Sequence, residues 1–582
     1  MKKGFKWTYI VLILCMIAAI GMTVYRNLAY RYEMQGDVVD LSACYAGAMG
    51  YDVSDTSDAN GRCFTMSGED PQFILSSAEG GIGGTIGGIA LTFGDVWTGS
   101  EPLPVQVFYA GVGESFTEKH SVKSALRIGE QRLLIPIPLG EYQLLRFDID
   151  GDFSLKAIEG CSGNMKATAY VSEETVIHCL WYIPAIIIGF CLIYWAHSAR
   201  MKESGLRGGQ YVRTIFFGAE PSKDREVYLD YLRILAAVFV ILAHACSPMV
   251  DFADANWKRL VLVCGLSLGL TCNLLYVMLS GTLLLGAKNR QDEGVLPFYI
   301  RRASKVIIPL IAYYLLLLSL NDEVGFLPPK NLGVAFKRIV TGAPDVGPHL
   351  WLIYTIVALY LVTPFLRVMM QHLSDRMIFS LAAVILVLNL LTNYLPLFGM
   401  TFGASTFLAG WEGVFLLGYI MTRQNELSGA SKRNKALLVA AVAAYVITVG
   451  VVYHDSDQMN YVYNNASTMV IISCGIFALF LQNKDKFTGG SNLFVRLCSK
   501  YSYSIILIHW YALFVVVQGR FHITALRFGC IGGIIASVVL TFVVCTIISV
   551  VFDNTVVIVC NVLFDKLSTG LLSLTNKNRE KA

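Results

Sequence analysis

Charged residues are scarce in this sequence. Asp, Glu, Lys and Arg account for 15% of the 582 residues, whereas 55% are hydrophobic and the mean hydropathy is +0.56. Because soluble chains of this length carry more charge, the composition excludes a soluble globular protein and predicts a polytopic α-helical membrane protein. The 14 cysteines contain no CxxC pair and do not cluster with histidines, which argues against a zinc or iron–sulfur site, so no bound metal is expected.

The few charges are unevenly distributed along the chain. Residues 26–176 contain 10 Lys and Arg against 21 Asp and Glu, a net charge of −11. The whole chain has a net charge of +4, so the remainder carries +15. This asymmetry predicts an acidic soluble domain and a membrane domain with basic loops.

Apolar runs predict about 12 transmembrane helices. The first, within residues 1–25, follows three lysines and precedes no clear small-x-small cleavage site, so we interpret it as an uncleaved anchor rather than a signal peptide. The second covers 176–196, and the connector 197–226 contains six basic residues, which predicts a cytoplasmic connector and an extracytoplasmic region at 26–175. A ten-helix membrane domain at 227–555 and a cytoplasmic tail at 556–582 complete a plasma-membrane topology with both termini cytoplasmic. The ten spans are expected at 228–248, 259–287, 304–320, 350–370, 377–396, 402–422, 436–453, 466–482, 501–518 and 526–552.

The region 26–175 has the pattern of β-strands. Alternating apolar positions recur in PVQVFYAGV, RLLIPIPL, YQLLRFDI and FSLKAIEG, which Gly, Asp and Pro turns separate. These short strands predict an extracytoplasmic, β-sandwich-like domain inserted between helices 1 and 2. Its cysteines Cys44, Cys63 and Cys161 allow one disulfide, with Cys44–Cys63 as the local choice. The glycine-rich run 80–90 lacks the Lys-Ser/Thr of a P-loop, so it predicts a flexible or tightly packed β segment.

The span 228–248 contains two ionisable residues, Arg233 and His244. Eleven residues at about 100° each return to within roughly 20° of the starting direction, so both side chains share one helix face. They lie roughly 16 Å apart along the helix axis. Ionisable residues inside a membrane are functional-site candidates, although Arg233 could instead snorkel to a headgroup while His244 caps the outer end.

Five stretches of residues 226–555 resemble the acyltransferase-3 family of integral membrane O-acyltransferases, especially members that modify surface polysaccharides. They are YLDYLRILAAVFVILAHA, with the Arg-x10-His pattern of the family's first helix, YVMLSGTLLLG, FYIRRASKVIIPL, PHLWLIYTIVALYLVTPFLR and YSYSIILIHWYALF. The resemblance implies transfer of an acyl group, expected to be acetyl, from cytoplasmic acyl-CoA to a hydroxyl of a cell-surface or lipid-linked glycan. It implies no tightly bound cofactor and no nucleic-acid partner, and it leaves the oligomeric state open.

Acyl transfer to an alcohol needs a base, a donor site and stabilisation of developing charge. We expect His244 to be the base, because imidazole titrates near neutral pH. Arg233 is expected to hold the polar end of an acyl thioester or to orient Asp230. The family commonly has Asp-Gly-Leu-Arg-Gly where this chain has Asp-Tyr-Leu-Arg-Ile at 230–234, so helix packing around Arg233 is expected to differ.

Three cations before the third span of the membrane domain are candidates for donor binding. The resemblance implies that Arg301, Arg302 and Lys305 meet the polyanionic acyl-CoA, although positive-inside anchoring also places cations at such a rim. The family's Arg-x-x-Arg appears here as Arg302-x-x-Lys305. A lysine cannot form a planar bidentate fork, so phosphate contacts at this position should be weaker or less directional.

Four residues are candidates for contacts with the acceptor. His349 precedes a span near the predicted outer face, where it would meet the acceptor or cap Trp351. Glu412 is a predicted intramembrane carboxylate that would line the cavity or pair with a basic group. For His509, in the ninth of the ten spans, a packing role is favoured over acceptor contact.

A membrane exporter of a small metabolite or glycan intermediate is the alternative function. Twelve spans with intramembrane Arg and His would suit a transporter, but no repeat relates the two halves of the chain. A sensor that signals through the membrane is disfavoured because the sequence shows no cytoplasmic output domain. The pattern therefore favours an acyltransferase.

Overall fold

A computed structural model describes most of the chain. The described residues are 28–44, 53–58, 61–66, 72–77, 82–99, 102–117, 120–149, 153–220, 225–286, 294–320, 330–342, 347–400, 408–455, 459, 461–487 and 492–579, with 13–14, 16–18, 20–21 and 24–25. The chain divides into two compact units, residues 1–190 and 191–582. Half of the predicted first span, at residues 8–25, lies outside the described residues.

The first unit contains the β-rich region that the alternation predicted. A four-stranded antiparallel sheet has the order β5-β10-β7-β8, a larger one the order β3-β4-β11-β6-β9 with β2 also paired to β11, and β1 pairs with β12. The strands are β1 Leu28–Glu33, β2 Val38–Asp40, β3 Val53–Asp58, β4 Gly61–Met66, β5 Gln72–Ser76, β6 Thr85–Phe93, β7 Leu103–Ala110, β8 Ser121–Leu126, β9 Arg132–Glu141, β10 Leu144–Ile149, β11 Phe153–Cys161 and β12 Lys166–Val171.

The two larger sheets share one hydrophobic core. Alternate residues of β10, such as Leu145 and Phe147, are fully buried, as are Leu91 and Ile158 of the other sheet. This arrangement follows from the two-residue period of a strand, which turns every second side chain to the same face. The β-rich character predicted for this region is therefore confirmed, with a shared core between sheets.

The glycine-rich run forms a tightly packed strand rather than a flexible segment. Its residues 85–90 belong to β6, which lies between β11 and β9. A Cβ on Gly87 would come within 2.7 Å of the carbonyl oxygen of Gly163, so no larger side chain fits there without movement.

The predicted Cys44–Cys63 disulfide is wrong. Cys44 carries a free thiol, as does the buried Cys161. The register explains why: β2, just before Cys44, pairs with Glu159–Cys161 at the end of β11, whereas β4, which contains Cys63, pairs with its beginning at Phe153–Leu155. Proximity along the sequence therefore did not bring the two cysteines together.

The second unit is helical. Its helices, including α1, which begins in the first unit, are α1 Glu173–Ser204, α2 Gly208–Phe217, α3 Val227–Cys246, α4 Asn256–Gly269, α5 Thr271–Leu285, α6 Val295–Arg302, α7 Ile308–Leu320, α8 Lys330–Thr341, α9 Trp351–His372, α10 Asp375–Tyr394, α11 Trp411–Asn425, α12 Ala430–His454, α13 Ser467–Gln482, α14 Leu493–Tyr511, α15 Cys530–Phe552 and α16 Ile558–Arg579. A π-helical segment joins α6 to α7, another extends α14 to Arg520, and a third joins α15 to α16.

Nine helical stretches among the described residues are long and apolar enough to cross a membrane. The predicted spans 402–422 and 466–482 contain shorter helices, α11 with 15 residues and α13 with 16. The helical stretch that begins at Cys530 continues to Gly570, past the predicted end of the membrane domain at 555. The polytopic helical class is confirmed, and the count of 12 remains a prediction.

Small residues bring the central helices into close contact. A Cβ added to Gly281 of α5 would collide with the backbone of Phe415 in α11, and one added to Gly418 would collide with Met278. A Cβ on Gly269 of α4 would lie 2.8 Å from the carbonyl oxygen of Phe239 in α3. Such contacts are typical of membrane helix packing, and they fix α5 against α11 and α4 against α3.

Candidate active site

Three histidines from distant parts of the sequence meet in the second unit. His244 lies in the last turn of α3, His349 in the short turn Pro348–Leu350 before α9, and His509 near the end of α14. The ring centroid of His509 lies 5.2 Å from that of His244 and 4.7 Å from that of His349. Trp510 is 5.0 Å from His244 and 5.9 Å from His349, against which it stacks. The four rings therefore form one aromatic cluster.

Hydrogen bonds to carbonyl oxygens define which nitrogens of two rings carry a proton. Nδ1 of His509 donates to the carbonyl oxygen of Ile506 at 2.7 Å, and Nε2 of His349 donates to that of Leu507 at 3.1 Å. A carbonyl oxygen can only accept, so the other nitrogen of each neutral ring presents a lone pair. Those two atoms, His349 Nδ1 and His509 Nε2, are buried without a hydrogen-bond partner among the described residues.

A cavity of about 280 Å³, here called the histidine chamber, lies beside this cluster. His244, His349, Trp351 and Trp510 line it together with Tyr276 of α5. None of the described residues forms a hydrogen bond with the ring of His244, which leaves its nitrogens available to a ligand in the chamber. Within the part of the chain that the structure describes, no group of His, Cys, Asp and Glu side chains could hold a metal ion.

At the other end of α3, a buried carboxylate organises two arginines. Asp230 accepts two hydrogen bonds from Arg225, at 2.7 and 2.9 Å, and one from Arg233 at 3.0 Å. Ser499 of α14 donates to the same carboxylate at 2.6 Å and accepts from Arg233 at 3.0 Å. Hydrogen bonding to Asp230 raises the pKa of Arg225, so this side chain stays charged. Asp230 thus orients Arg233, and the catalytic roles of both remain predictions.

Arg233 lines a cavity of about 1000 Å³, here called the cationic cavity. Arg302 and Lys305 also line it, together with the carboxylates Glu226 and Glu426. Arg301 does not belong to its described lining. A side cavity of about 380 Å³ shares Arg233 and Lys305 with it. The side cavity adds three cations that the sequence reasoning missed, Arg225, Arg496 and Lys500.

Arg496 and Lys500 lie one helical turn apart on α14, and both reach the end of α2. Arg496 donates to the carbonyl oxygen of Gly218, and Lys500 to that of Ile215. Cations at a helix C-terminus satisfy carbonyls that lack partners in the helix. A spacing of four residues between two cations in an apolar helix could have indicated a shared cationic face.

The cationic cavity and the histidine chamber adjoin. Tyr276 of α5 and Ile506 of α14 line both cavities. Arg233 belongs to the first and His244 to the second. Both side chains of α3 therefore face cavities, as the shared helix face predicted.

The remaining predicted contacts have different positions. Trp351 lines the histidine chamber and packs against Trp411, with ring centroids 5.4 Å apart. Glu412 is exposed in the first turn of α11, a position where the helix dipole favours a carboxylate. It is absent from the described lining of the histidine chamber and the cationic cavity, so the geometry gives it no acceptor contact.

Asp553, a half-buried carboxylate, has no role in the sequence-based predictions. It lies in the π-helical segment between α15 and α16 and accepts hydrogen bonds from Ser504 at 2.6 Å and Tyr313 at 2.9 Å. These bonds connect three helical stretches that are distant in sequence. An acidic residue in so apolar a stretch is itself a signal of internal pairing.

Comparison with known proteins identifies the family of the second unit's sequence. Residues 226–551 match the model of the acyltransferase-3 family, described as an acyltransferase domain. No curated protein and no solved structure matches the chain. Because the family model covers more than half of the sequence, the protein belongs to the acyltransferase-3 family and is a membrane acyltransferase.

Proposed function

We propose that the protein transfers an acyl group, specifically an acetyl group, from acyl-CoA to a hydroxyl of a cell-surface or lipid-linked glycan. The observation that carries this proposal is the junction of two cavities, one lined by cations and one by histidines, which share Tyr276 and Ile506. Such a junction suits a reaction in which an anionic donor and a neutral alcohol approach one carbonyl carbon from opposite directions.

The charges support an acyl-CoA donor. Acyl-CoA combines a phosphate-rich nucleotide with an uncharged thioester arm, and arginine and lysine are the side chains that bind phosphate. Arg233, Arg302 and Lys305 line the cationic cavity, and Arg225 and Arg496 the adjoining side cavity. We assign the phosphates to these cations and the thioester to the end near Tyr276.

The chemistry at the junction is a direct acyl transfer. A ring nitrogen of His244 takes the proton of the acceptor hydroxyl while its oxygen bonds to the carbonyl carbon. The carbon–sulfur bond then breaks, and the CoA thiolate leaves with the proton that the imidazolium of His244 gives up, which restores the neutral ring. His244 is suited to this role because its ring faces the chamber and none of the described residues occupies its nitrogens.

In this proposal the protein lies in the plasma membrane, with both termini in the cytoplasm and residues 26–175 outside the cell. The net charge of −11 in residues 26–176 supports a neutral or weakly charged glycan, because an acidic surface repels polyanions over about 10 Å at roughly 0.1 M salt.

The function is tested by comparing ester-linked acyl groups on surface glycans of cells with and without the protein. In proteoliposomes, acetyl-CoA labelled in the acetyl group should lose label to an added glycan acceptor. Equal glycan esterification in both cell types, with no transfer by the purified protein, would disprove the proposed activity.

Lys305 offers a test of donor binding. Lys305→Arg should keep or lower the KM for acetyl-CoA, because a guanidinium can form two hydrogen bonds with phosphate, whereas Lys305→Ala should raise it about tenfold. The control is Lys432→Ala, which removes an exposed lysine from the first turns of α12. A higher KM in Lys305→Arg, or an unchanged KM in Lys305→Ala, would contradict a phosphate contact.

The β-rich domain has its own hydrophobic core, so it can be removed as a unit. Replacing residues 30–172 with a short linker should lower turnover on the native glycan and spare slow hydrolysis of acetyl-CoA, because the predicted catalytic residues all lie in the second unit. Release of free CoA and glycan esterification are measured on the same membranes. Loss of hydrolysis in a correctly inserted protein would show that this domain belongs to the catalytic architecture.

A further inference from the structure

Tyr276 has a buried hydroxyl group that the mechanism above does not use. The residue lies in α5 and is only 7% exposed. Its hydroxyl oxygen is buried and finds no hydrogen-bond partner among the described residues. Leaving a buried hydroxyl unpaired costs about 1–3 kcal/mol, so such a group needs an explanation.

Packing holds this tyrosine at the junction of the two cavities. The contacts of Gly281 with Phe415 and of Gly418 with Met278 fix α5 against α11, and Tyr276 lies about one turn before Gly281. Its side chain lines both the cationic cavity and the histidine chamber. Tyr276 and Ile506 are the residues that the described linings of both cavities share.

Arg233 and two of the histidines near the junction already have defined hydrogen-bond partners. Asp230 and Ser499 hold Arg233, while the unpaired nitrogens of His349 and His509 present lone pairs rather than protons. A carbonyl oxygen that becomes negatively charged needs a proton donor, which a lone pair cannot provide.

We propose that the hydroxyl of Tyr276 donates a hydrogen bond to the oxygen of the acyl carbonyl during transfer, an inference that rests on the proposed function. As the acceptor oxygen bonds to the carbonyl carbon and its proton passes to His244, the carbonyl electron pair moves to oxygen. Tyr276 keeps its proton and stabilises that oxyanion. The electron pair then returns to re-form the carbonyl as the carbon–sulfur bond breaks and the CoA thiolate departs.

Tyr276→Phe removes the hydroxyl and keeps the ring. We expect kcat for transfer from acetyl-CoA to fall about 100- to 1000-fold, the cost of losing one oxyanion donor, while KM for acetyl-CoA stays within about threefold. Hydrolysis of acetyl-CoA, which passes through a similar oxyanion, should fall in parallel. The matched control is Tyr445→Phe, which removes a hydroxyl that donates to the carbonyl oxygen of Cys264 at 2.9 Å, away from both cavities.

The outcomes separate this inference from the proposed function. If the wild-type protein transfers no acyl group, the proposed function fails first. If wild type is active and Tyr276→Phe keeps kcat within threefold, the hydrogen bond is disproved alone. If Tyr276→Phe inserts poorly, fluorinated tyrosines at position 276 retain the hydroxyl and vary its acidity; kcat should then change along the series, and a constant kcat would overturn the inference.

Discussion

His244→Ala is expected to reduce acyl transfer about 1000-fold or more, within the range that a general base contributes. His244 lines the histidine chamber, and its ring lies 5.2 Å from His509 and 5.0 Å from Trp510. His244→Ala removes the imidazole that faces the histidine chamber from α3 and has no hydrogen-bond partner among the described residues. Glycan esterification at matched protein level measures the effect.

The alanine variant also removes ring contacts, so stability must be followed in parallel. His244→Gln keeps polar atoms of similar length and is expected to be equally inactive, because an amide does not accept a proton at neutral pH. His372→Ala is the control, since this exposed histidine hydrogen-bonds only to the carbonyl oxygen of Val368 among the described residues. Normal esterification by a well-inserted His244→Gln would remove His244 from the role of base.

The roles of His244 and His349 must also be distinguished. In His349→Gln the side-chain amide can still donate to the carbonyl oxygen of Leu507, as Nε2 of His349 does at 3.1 Å. The loss of acyl transfer should therefore be smaller in His349→Gln than in His244→Gln. The reverse order would make His349 the base and His244 part of its surroundings.

Periodicity predicted the parts of the site that lie on one element. The shared face of Arg233 and His244 follows from the geometry of a single helix, and both residues line cavities. The buried alternation of β10 follows from strand geometry in the same way. Such features depend only on neighbours within the element.

The meeting of elements could not be predicted in this way. His349 and His509 approach His244 because a turn before α9 and the end of α14 pack against α3, and the spacing of the histidines in the sequence carries no trace of this. The position of His509 within a span therefore predicts a packing role, whereas the structure places its ring in contact with both other histidines. The cysteine pairing failed for the same reason, since strand order in a sheet is not sequence order.

Whether a buried polar group has a hydrogen-bond partner also depends on the tertiary structure. In the sequence, Tyr276 looks like any other tyrosine in an apolar helix. Only the structure shows that no described residue forms a hydrogen bond with its buried hydroxyl. Asp230, by contrast, could be predicted as a partner of Arg233, because residues three apart on a helix lie side by side. Its second arginine, Arg225, lies outside α3 and became visible only in the fold.

Arg233→Ala is expected to lower transfer about 100-fold, because a hydrogen bond to a charged group contributes about 1.5–3 kcal/mol and the acyl donor loses its cation closest to the junction. The fold should survive this change. Arg225 still makes two hydrogen bonds to Asp230, and Ser499 a third, so the buried carboxylate keeps a charged partner. The KM for acetyl-CoA and kcat are measured on protein that elutes as wild type does.

Arg233→Lys separates charge from geometry. Lysine keeps the positive charge but cannot contact Asp230, Ser499 and a donor group at once through a planar fork. Partial activity with a raised KM would indicate that charge is the main contribution, and activity as low as that of Arg233→Ala would indicate that the fork is required. Arg423→Ala is the control, because it removes an arginine whose ion pair with Asp375, at 3.1 Å, lies away from the cationic cavity. Wild-type rates in Arg233→Ala would show that Arg233 only anchors the helix at the membrane surface.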